Sequence, residues 1–567
     1  MKILLFLLVI FGLTPVFGQK VLKENLGPKV RLYWDANNKH LQATGSYFTS
    51  EATPNTTEKH GKWTFYTYDG IMEEESNYYR ARLLGKRVFY YPNKKIKEES
   101  YFKFNVPDSL FLQWNENGKL ITKGQFELGS PIGEWSYFYP DGREKSIEKV
   151  VVDTVYLMAN WEEDSAHKQT IINGNGVIEE RYVSGGIKAK YTFKNGLKNG
   201  DFEERTANGV LSVAGAFNQG KKDGIWEFYE YRGILEKMVT YKADSLDGAY
   251  LVLAVSGDTI TSGNYILGKK DGFWIWNTPE RTIEMTGFFK QDLQDSIWHY
   301  YFSSGELSYI AHYKNGLRTG EWNYYYQNGS SYRKGNYAND LREGNWQTWY
   351  EDGVLLMNGN YQQGKEEGLW YNYWENGSLK NKAEFKKGNL NGTWLSYTPE
   401  SVLSSSGKYK NGFKVGVWYD YYNNGRLKEK AHYKIFTEKN RTNDMAIMGL
   451  KETVSDYNGK FEAYSQRDFQ LKSQGKYYKG LKHGKWIDYY PGGVVPTIIS
   501  EYQHGQLHGV FQQRDPRGRL VYEIHYKNGL KHGPFLVFGE NGNIVSEKEF
   551  RYGRQVSKNG GGDLFTP

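Results

Sequence analysis

The chain has 567 residues, no cysteine, and a formal net charge of +8 from 73 Lys and Arg against 65 Asp and Glu. Lack of cysteine excludes disulfides, thiolate metal sites and thiol catalysis. The charges are interspersed with no basic block of five or more, so nucleic acid is not an expected partner. Aromatic residues make up 17% of the chain, and Tyr and Trp supply most of its large apolar surface, as in a thin sheet rather than a globule.

Lys2, the apolar run Ile3 to Leu13 and the following Pro15-Val16-Phe17-Gly18 read as a signal peptide over 1–18. The run falls short of the ~20 residues that cross a bilayer. The mature chain is expected to be exported, periplasmic or extracellular. Residues 19–58 are expected to cap the N-terminus, and 59–142 begin a repeat.

Glycine, rarely serine, recurs as an anchor followed two residues later by a large side chain. From Gly176 to Gly416 the anchors stand 24 residues apart without a slip. Gly61, Gly85, Ser109 and Gly133 precede this run, and Gly459, Gly484, Gly509 and Gly533 follow it. A fixed period of this size marks a repeat array. In the unit at Gly320, Glu321 to Tyr326 is strand-like, Gln327-Asn328-Gly329 turns, Ser331 to Ala338 returns, and Asn339 to Glu343 loops to Gly344. Asn-Gly or Asp-Gly between aromatic runs signals a hairpin. The glycines Gly320, Gly329, Gly344, Gly353, Gly368 and Gly377 are therefore expected to be structural turn residues.

The expected fold is all-β: an elongated, single-layer antiparallel array of β-hairpins, about 19 units of 24 residues, twisted and curved as a ribbon. Two strands advance it by ~9.6 Å per unit. Large side chains recur two and five residues after the anchor, and on the return strand two residues after a small Gly or Ala. A spacing of three conflicts with strand alternation, so the first two should lie on opposite faces unless a bulge intervenes.

The anchor spacing lengthens twice to 43 residues, from Gly133 to Gly176 and from Gly416 to Gly459. The insertions are assigned to 143–173 and 434–457, with repeats over 174–433 and 458–553. Val150 to Leu157 reads as an extra strand, and Met445 to Leu450 as part of a short helix. Residues 554–567 read as a flexible tail.

The unit resembles the MORN repeat, in the bacterial variant labelled a YwqK-type antitoxin component. The resemblance rests on Asn315-Gly316-Leu317-Arg318-Thr319-Gly320-Glu321-Trp322 with Asn328-Gly329 and Gly335-Asn336-Tyr337. It implies a hairpin array acting in protein or lipid interaction, with no catalytic residues to transfer.

No catalytic motif stands outside the repeat. Gly480-Leu481-Lys482-His483-Gly484-Lys485-Trp486 lacks a spacer and a terminal Ser or Thr, so it is no phosphate loop. His60, His483, His508 and His532 precede anchors and read as turn residues rather than metal ligands. The chain is expected to be a non-enzymatic scaffold, without cofactor or metal, that holds a protein partner. One alternative is polysaccharide or cell-wall binding through exposed aromatics, the candidates being Trp322, Trp346, Trp349, Trp370, Trp374, Trp394 and Trp418. Another is binding at a membrane surface, motivated by the mild positive charge.

Overall fold

The computed structural model describes residues 24–439 and 451–556. The expected signal peptide, the Met445–Leu450 helix and residues 557–567 lie outside the described residues. Among the described residues every element is a β-strand, and the chain divides into two units, Met1–Lys269 and Lys270–Pro567. Within each unit consecutive strands pair antiparallel, as Leu197–Arg205 does with Leu211–Asn218 and Leu341–Trp349 with Leu355–Gln362. The protein is all-β, an antiparallel hairpin repeat array.

Two kinds of turn alternate. At Tyr326 to Ser330 the backbone closes with Gly329 N–H donating to the Tyr326 carbonyl (2.9 Å) and Tyr326 N–H to the Ser330 carbonyl (2.8 Å). Gly329 alone takes a positive φ, 83°, so the loop is a turn followed by a left-handed residue, the three-residue hairpin. Gly353 and Gly377 repeat it, with φ of 88° and 80°. The tight two-residue loops lie at the other rim. Asn339-Asp340, between the paired Ala338 and Leu341, has φ of 48° and 68°, the twist that suits a right-handed hairpin.

Gly320, Gly344 and Gly368 do not sit in turns. The strand Leu341–Trp349 begins three residues before Gly344 and runs through it. Lys334 pairs with Gln347 and Asn336 with Glu343, which leaves Gly344, Asn345 and Trp346 opposite the single residue Gly335. This is a β-bulge, with Gly344 at φ 68°. Sequence spacing cannot separate a bulge from a turn here, because both demand positive φ.

The bulge explains the tryptophan two residues after the anchor. The Trp346 indole N–H donates to the Asn336 carbonyl at 3.1 Å. At the same place in the preceding unit the His312 carbonyl accepts from both Thr319 N–H (2.9 Å) and Trp322 Nε1 (3.2 Å), so the indole is a second donor to a carbonyl already bonded in the ladder. The same bond, ten residues back, joins Trp226 to Ala216, Trp298 to Phe288, Trp370 to Asn360 and Trp418 to Lys408. The indole lies flat on the small residue opposite. A Cβ added to Gly335, Gly359 or Gly407 would overlap the rings of Trp346, Trp370 or Trp418.

A second bulge form appears where a smaller ring follows the anchor. At Gly248 and Gly533, with φ of 125° and 102°, Tyr250 faces Val239 and Phe535 faces Ile524. At these two bulges a larger partner opposes the smaller ring, whereas Phe511, after Gly509 at φ 103°, faces Ser500. Trp394 shares the backbone of this form though its ring is large: Gly392 has φ 130°, Trp394 faces Ala383, and its indole donates to Ser405 Oγ at 3.3 Å.

The long spacings are additional strand. Val150 to Leu157 is not one strand. It is split between Glu144–Val151 and Thr154–Trp161 by a turn at Val152-Asp153, where Val152 has φ 54°. Gln169–Ile172 completes that insertion. In the second insertion the hairpin lengthens, with Leu427–Lys439 pairing with Lys451–Tyr464 in register from Tyr433↔Tyr457 to Lys439↔Lys451. At the ends, Leu26–Tyr33 pairs with Leu41–Phe48, and Arg554–Val556, placed in the tail by sequence, pairs with Ile544–Arg551.

Trp346→Phe removes the donor to the Asn336 carbonyl and leaves a void, and should destabilise unit Lys270–Pro567 by about 2–4 kcal/mol. Gly359→Val drives a branched side chain into the Trp370 ring and should cost more than Trp346→Phe. Urea unfolding followed by tryptophan emission checks both; equal stability to the parent chain would refute the bulge-filling role.

Candidate binding surfaces

One face of the sheet is closed by its own aromatics. The ring after each anchor alternates with the ring of the return strand. Trp322–Tyr337, Tyr337–Trp346, Trp346–Tyr361 and Tyr361–Trp370 have centroids 5.1, 5.2, 6.0 and 5.0 Å apart. All are steeply inclined, the geometry that sets ring edges against ring faces. Trp322, Trp346, Trp370 and Trp418 are buried in this ladder, Trp346 being 1% exposed. Their ring faces are covered by protein and open to no ligand.

Cations cover the loop-side edge of this face. Two residues before the anchor, Lys222, Lys414 and Lys482 place Nζ 4.3, 4.2 and 4.3 Å from the ring centres of Trp226, Trp418 and Trp486. Arg342 does the same over Trp346 at 5.0 Å. These are cation–π contacts with the stem spread along the apolar surface. Leu390 occupies the corresponding place before Gly392.

Each rim has its own tie between successive hairpins. At the three-residue turns, the aromatic six residues after the anchor reaches the next unit. The hydroxyls of Tyr326 and Tyr350 donate to the carbonyls of Trp349 (2.8 Å) and Tyr373 (3.1 Å), and Trp374 Nε1 donates to the Tyr397 carbonyl at 3.1 Å. At the two-residue turns, Gly364 and Gly388 N–H donate to the carbonyls of Arg342 and Glu366, both at 2.9 Å. The residue before the anchor adds a second bond, with Glu343 accepting from Gln363 N–H (2.8 Å) and Glu367 from Lys387 N–H (2.7 Å). His508 and His532 stand in the same place and accept from Asn528 and Tyr552 N–H. His60 is buried and bonds the Glu24 carbonyl through Nε2, while His483 faces His504 of the next turn, centroids 5.8 Å apart. All four histidines before anchors lie in strands at the bulge, not in turns as expected.

The opposite face is different. Strand alternation places the ring five residues after the anchor there: Tyr301, Tyr325, Trp349, Tyr373, Tyr397 and Tyr421, all half-buried. Leu307, Leu355, Leu379, Leu403 and Leu427 pair with five of them. Of the seven tryptophans singled out in the sequence, Trp349 lies on this outward face, Trp374 at the turn rim with Lys380 4.3 Å above its ring, and Trp394 half-buried on the ladder face. Apart from Trp374, the rim aromatics escaped the sequence reading, as did the cations over the ladder, although their signal, a fixed offset from the anchor, was present.

Burial also marks the ladder electrostatically. Tyr309 stacks on Tyr300 with centroids 4.1 Å apart. Burial, then the charge and hydroxyl of Tyr300, push its phenol up to about 12. Near the N-terminus, burial and a bond to Glu75 push Tyr90 up to about 12. A phenol raised in the folded state contributes stability that is fully present below its unfolded value near 10 and lost as pH rises through its folded value. Stability should therefore fall between pH ~10 and pH ~12, and Tyr309→Phe should reduce that fall. Denaturant midpoints across this range, with tyrosinate absorbance as the second readout, check it.

A model described as "MORN repeat variant" matches residues 59–78, 83–104, 318–339, 342–363, 366–387, 414–434 and 507–528. No curated protein matches the chain. Among solved structures, TcdB2-TccC3 bound to Cdc42 is 11% identical over 92% of this chain and 30% of that one, with a TM-score of 0.11. A Photorhabdus luminescens Tc holotoxin pore is 10% identical over 91% of this chain and 31% of that one, with a TM-score of 0.12. The chain spans under a third of the length of these structures, and superposes on them poorly. The seven matched stretches fall on the hairpins and bulges described above: the chain carries MORN-variant repeats.

Proposed function

We propose that the array is an exported, non-enzymatic scaffold that holds a protein partner, with the long hairpin Leu427–Lys439/Lys451–Tyr464 as its docking element. The observation that carries this reading is the edge of that hairpin. Beyond Tyr433 the strand has no partner in Phe413–Tyr421, whose pairing stops at Gly416↔Tyr433. On the other side, the pairing of Lys451–Tyr464 with Leu471–Tyr478 starts at Gly459↔Tyr477. Among the described residues, 434–439 and 451–456 therefore pair only with each other. Among the described residues no strand pairs with their outer N–H and C=O groups, an edge suited to an extended segment of another chain. Ser455 Oγ, bonded to the Lys414 carbonyl at 2.5 Å, and Lys479 Nζ, 5.5 Å from the Phe436 ring centre, brace the base of the arm.

Export rests on the n-region, the apolar run and the small residues of 1–18. N-terminal sequencing of the native protein should then begin near Gln19.

Excision of 436–454 restores the 24-residue anchor spacing and should leave the circular dichroism spectrum of the array intact. Affinity capture from envelope extract, with full-length and excised chains as bait, is the test. A saturable partner lost on excision supports the docking role; a partner retained by the excised chain, or none, overturns it.

A further inference from the structure

The outward face of unit Lys270–Pro567 carries a column of rings apart from the ladder. The ladder face consumes its rings in bulge filling and mutual contact, and the rim aromatics are tied to backbone carbonyls. The outward rings are neither. Tyr301, Tyr325, Trp349, Tyr373, Tyr397 and Tyr421 recur once per hairpin in a single column beside the three-residue turns. Each is half-buried, rooted on its strand with part of the ring open to solvent.

Next to this column runs a second one of hydrogen-bonding groups on the same face. Asn323 pairs with Lys334, Gln347 with Asn358, and Tyr371 with Lys382. An aromatic track bordered by amides, ammonium groups and a phenol suits a ligand with apolar C–H faces and hydroxyl edges. That is the chemistry of a pyranose ring, and Tyr and Trp present an apolar body with a polar tip to meet it.

Spacing narrows the choice further. Successive rings stand two strands apart, about 9.6 Å at ~4.8 Å per strand. A ligand that meets the same ring type at the same step is itself periodic. The step corresponds to one disaccharide of an extended β-1,4-linked polysaccharide, in which every second sugar presents the same face. An α-1,4-linked chain coils and does not hold that register. A folded protein partner has no such translational repeat.

We infer that the outward column from Tyr301 to Tyr421 is a stacking track for an extended β-1,4-linked polysaccharide, one disaccharide to each hairpin. This goes beyond the protein-docking arm and uses a different surface, so one chain would join a protein partner to a glycan.

The test is calorimetric titration of the full chain with cello- and chito-oligosaccharides from disaccharide to octasaccharide, with malto-oligosaccharides as the coiled control. Affinity should rise with each added disaccharide in at least one β-linked series, and the malto series should not bind. Trp349→Ala with Tyr373→Ala should weaken the longest ligand at least tenfold, whereas Trp349→Phe with Tyr373→Phe, which keeps both rings, should stay within a few-fold of the parent. The excised chain lacking 436–454 should bind sugar as the full chain does, which separates failure of this inference from failure of the docking arm. Absence of saturable binding to either β-linked series, affinity independent of ligand length, equal binding of malto-oligosaccharides, or an alanine variant that binds like the parent would each overturn it.

Discussion

The sheet depends on a bulge in the β-ladder that recurs at the anchor glycines and is filled by the ring two residues on. A bulge at the anchor glycine opens space against the facing strand, and the carbonyl ten residues before the ring, already bonded to a backbone N–H, has a second lone pair to offer. The indole two residues on is long enough to reach that carbonyl and flat enough to lie on the residue opposite. It also brings its own apolar surface into the space the bulge opens. Trp346 does all of this at once: it caps Asn336, lies over Gly335, and touches Tyr337 and Tyr361. The anchor, the small residue nine positions earlier and the tryptophan are one device in three pieces.

Repetition then solves a problem that one hairpin cannot. An isolated hairpin is marginal in water, and each ring here is buried only because a neighbouring hairpin supplies the other half of its surroundings. The ties at both rims act between successive units in the same way, through Tyr326 to Trp349 at one side and Gly364 to Arg342 at the other. Stability in such an array is a nearest-neighbour property. This also explains why the long hairpin at 427–464 is tolerated. Its first residues keep the standard register with their neighbours, and the additional length extends past the rim without disturbing the ladder.

Dividing the aromatics between two faces separates covered rings from half-open ones. The ladder face is covered by protein and edged by Lys and Arg stems, so its tryptophans belong to the core. The outward face keeps half-open rings in a regular column. Trp322, Trp346, Trp349, Trp370, Trp374, Trp394 and Trp418 look alike as a set of recurring tryptophans in the sequence, yet they occupy three environments. The parity of the offset from the anchor separates them: two and four point inward, three and five outward, and six reaches the rim. Alternation along a strand makes this parity readable once the strand is known to run unbroken from the anchor to the turn.

The sequence by itself determined the class and the period. Regular glycines, alternating aromatics and Asn-Gly turns leave little but a hairpin array, and placing Gly329, Gly353 and Gly377 in turns needed only the demand for positive φ. The same reasoning could not tell that Gly320, Gly344 and Gly368 form bulges, because a bulge and a turn make the same local demand and differ only in which strand lies across. It could not divide Val150 to Leu157 into two strands, since β-branched residues favour the extended state on either side of a turn. Nor could it say which aromatic face is covered. Tertiary structure decided these points because strand register, the residue opposite and the reach of an indole to a carbonyl ten residues back exist only once the strands have paired.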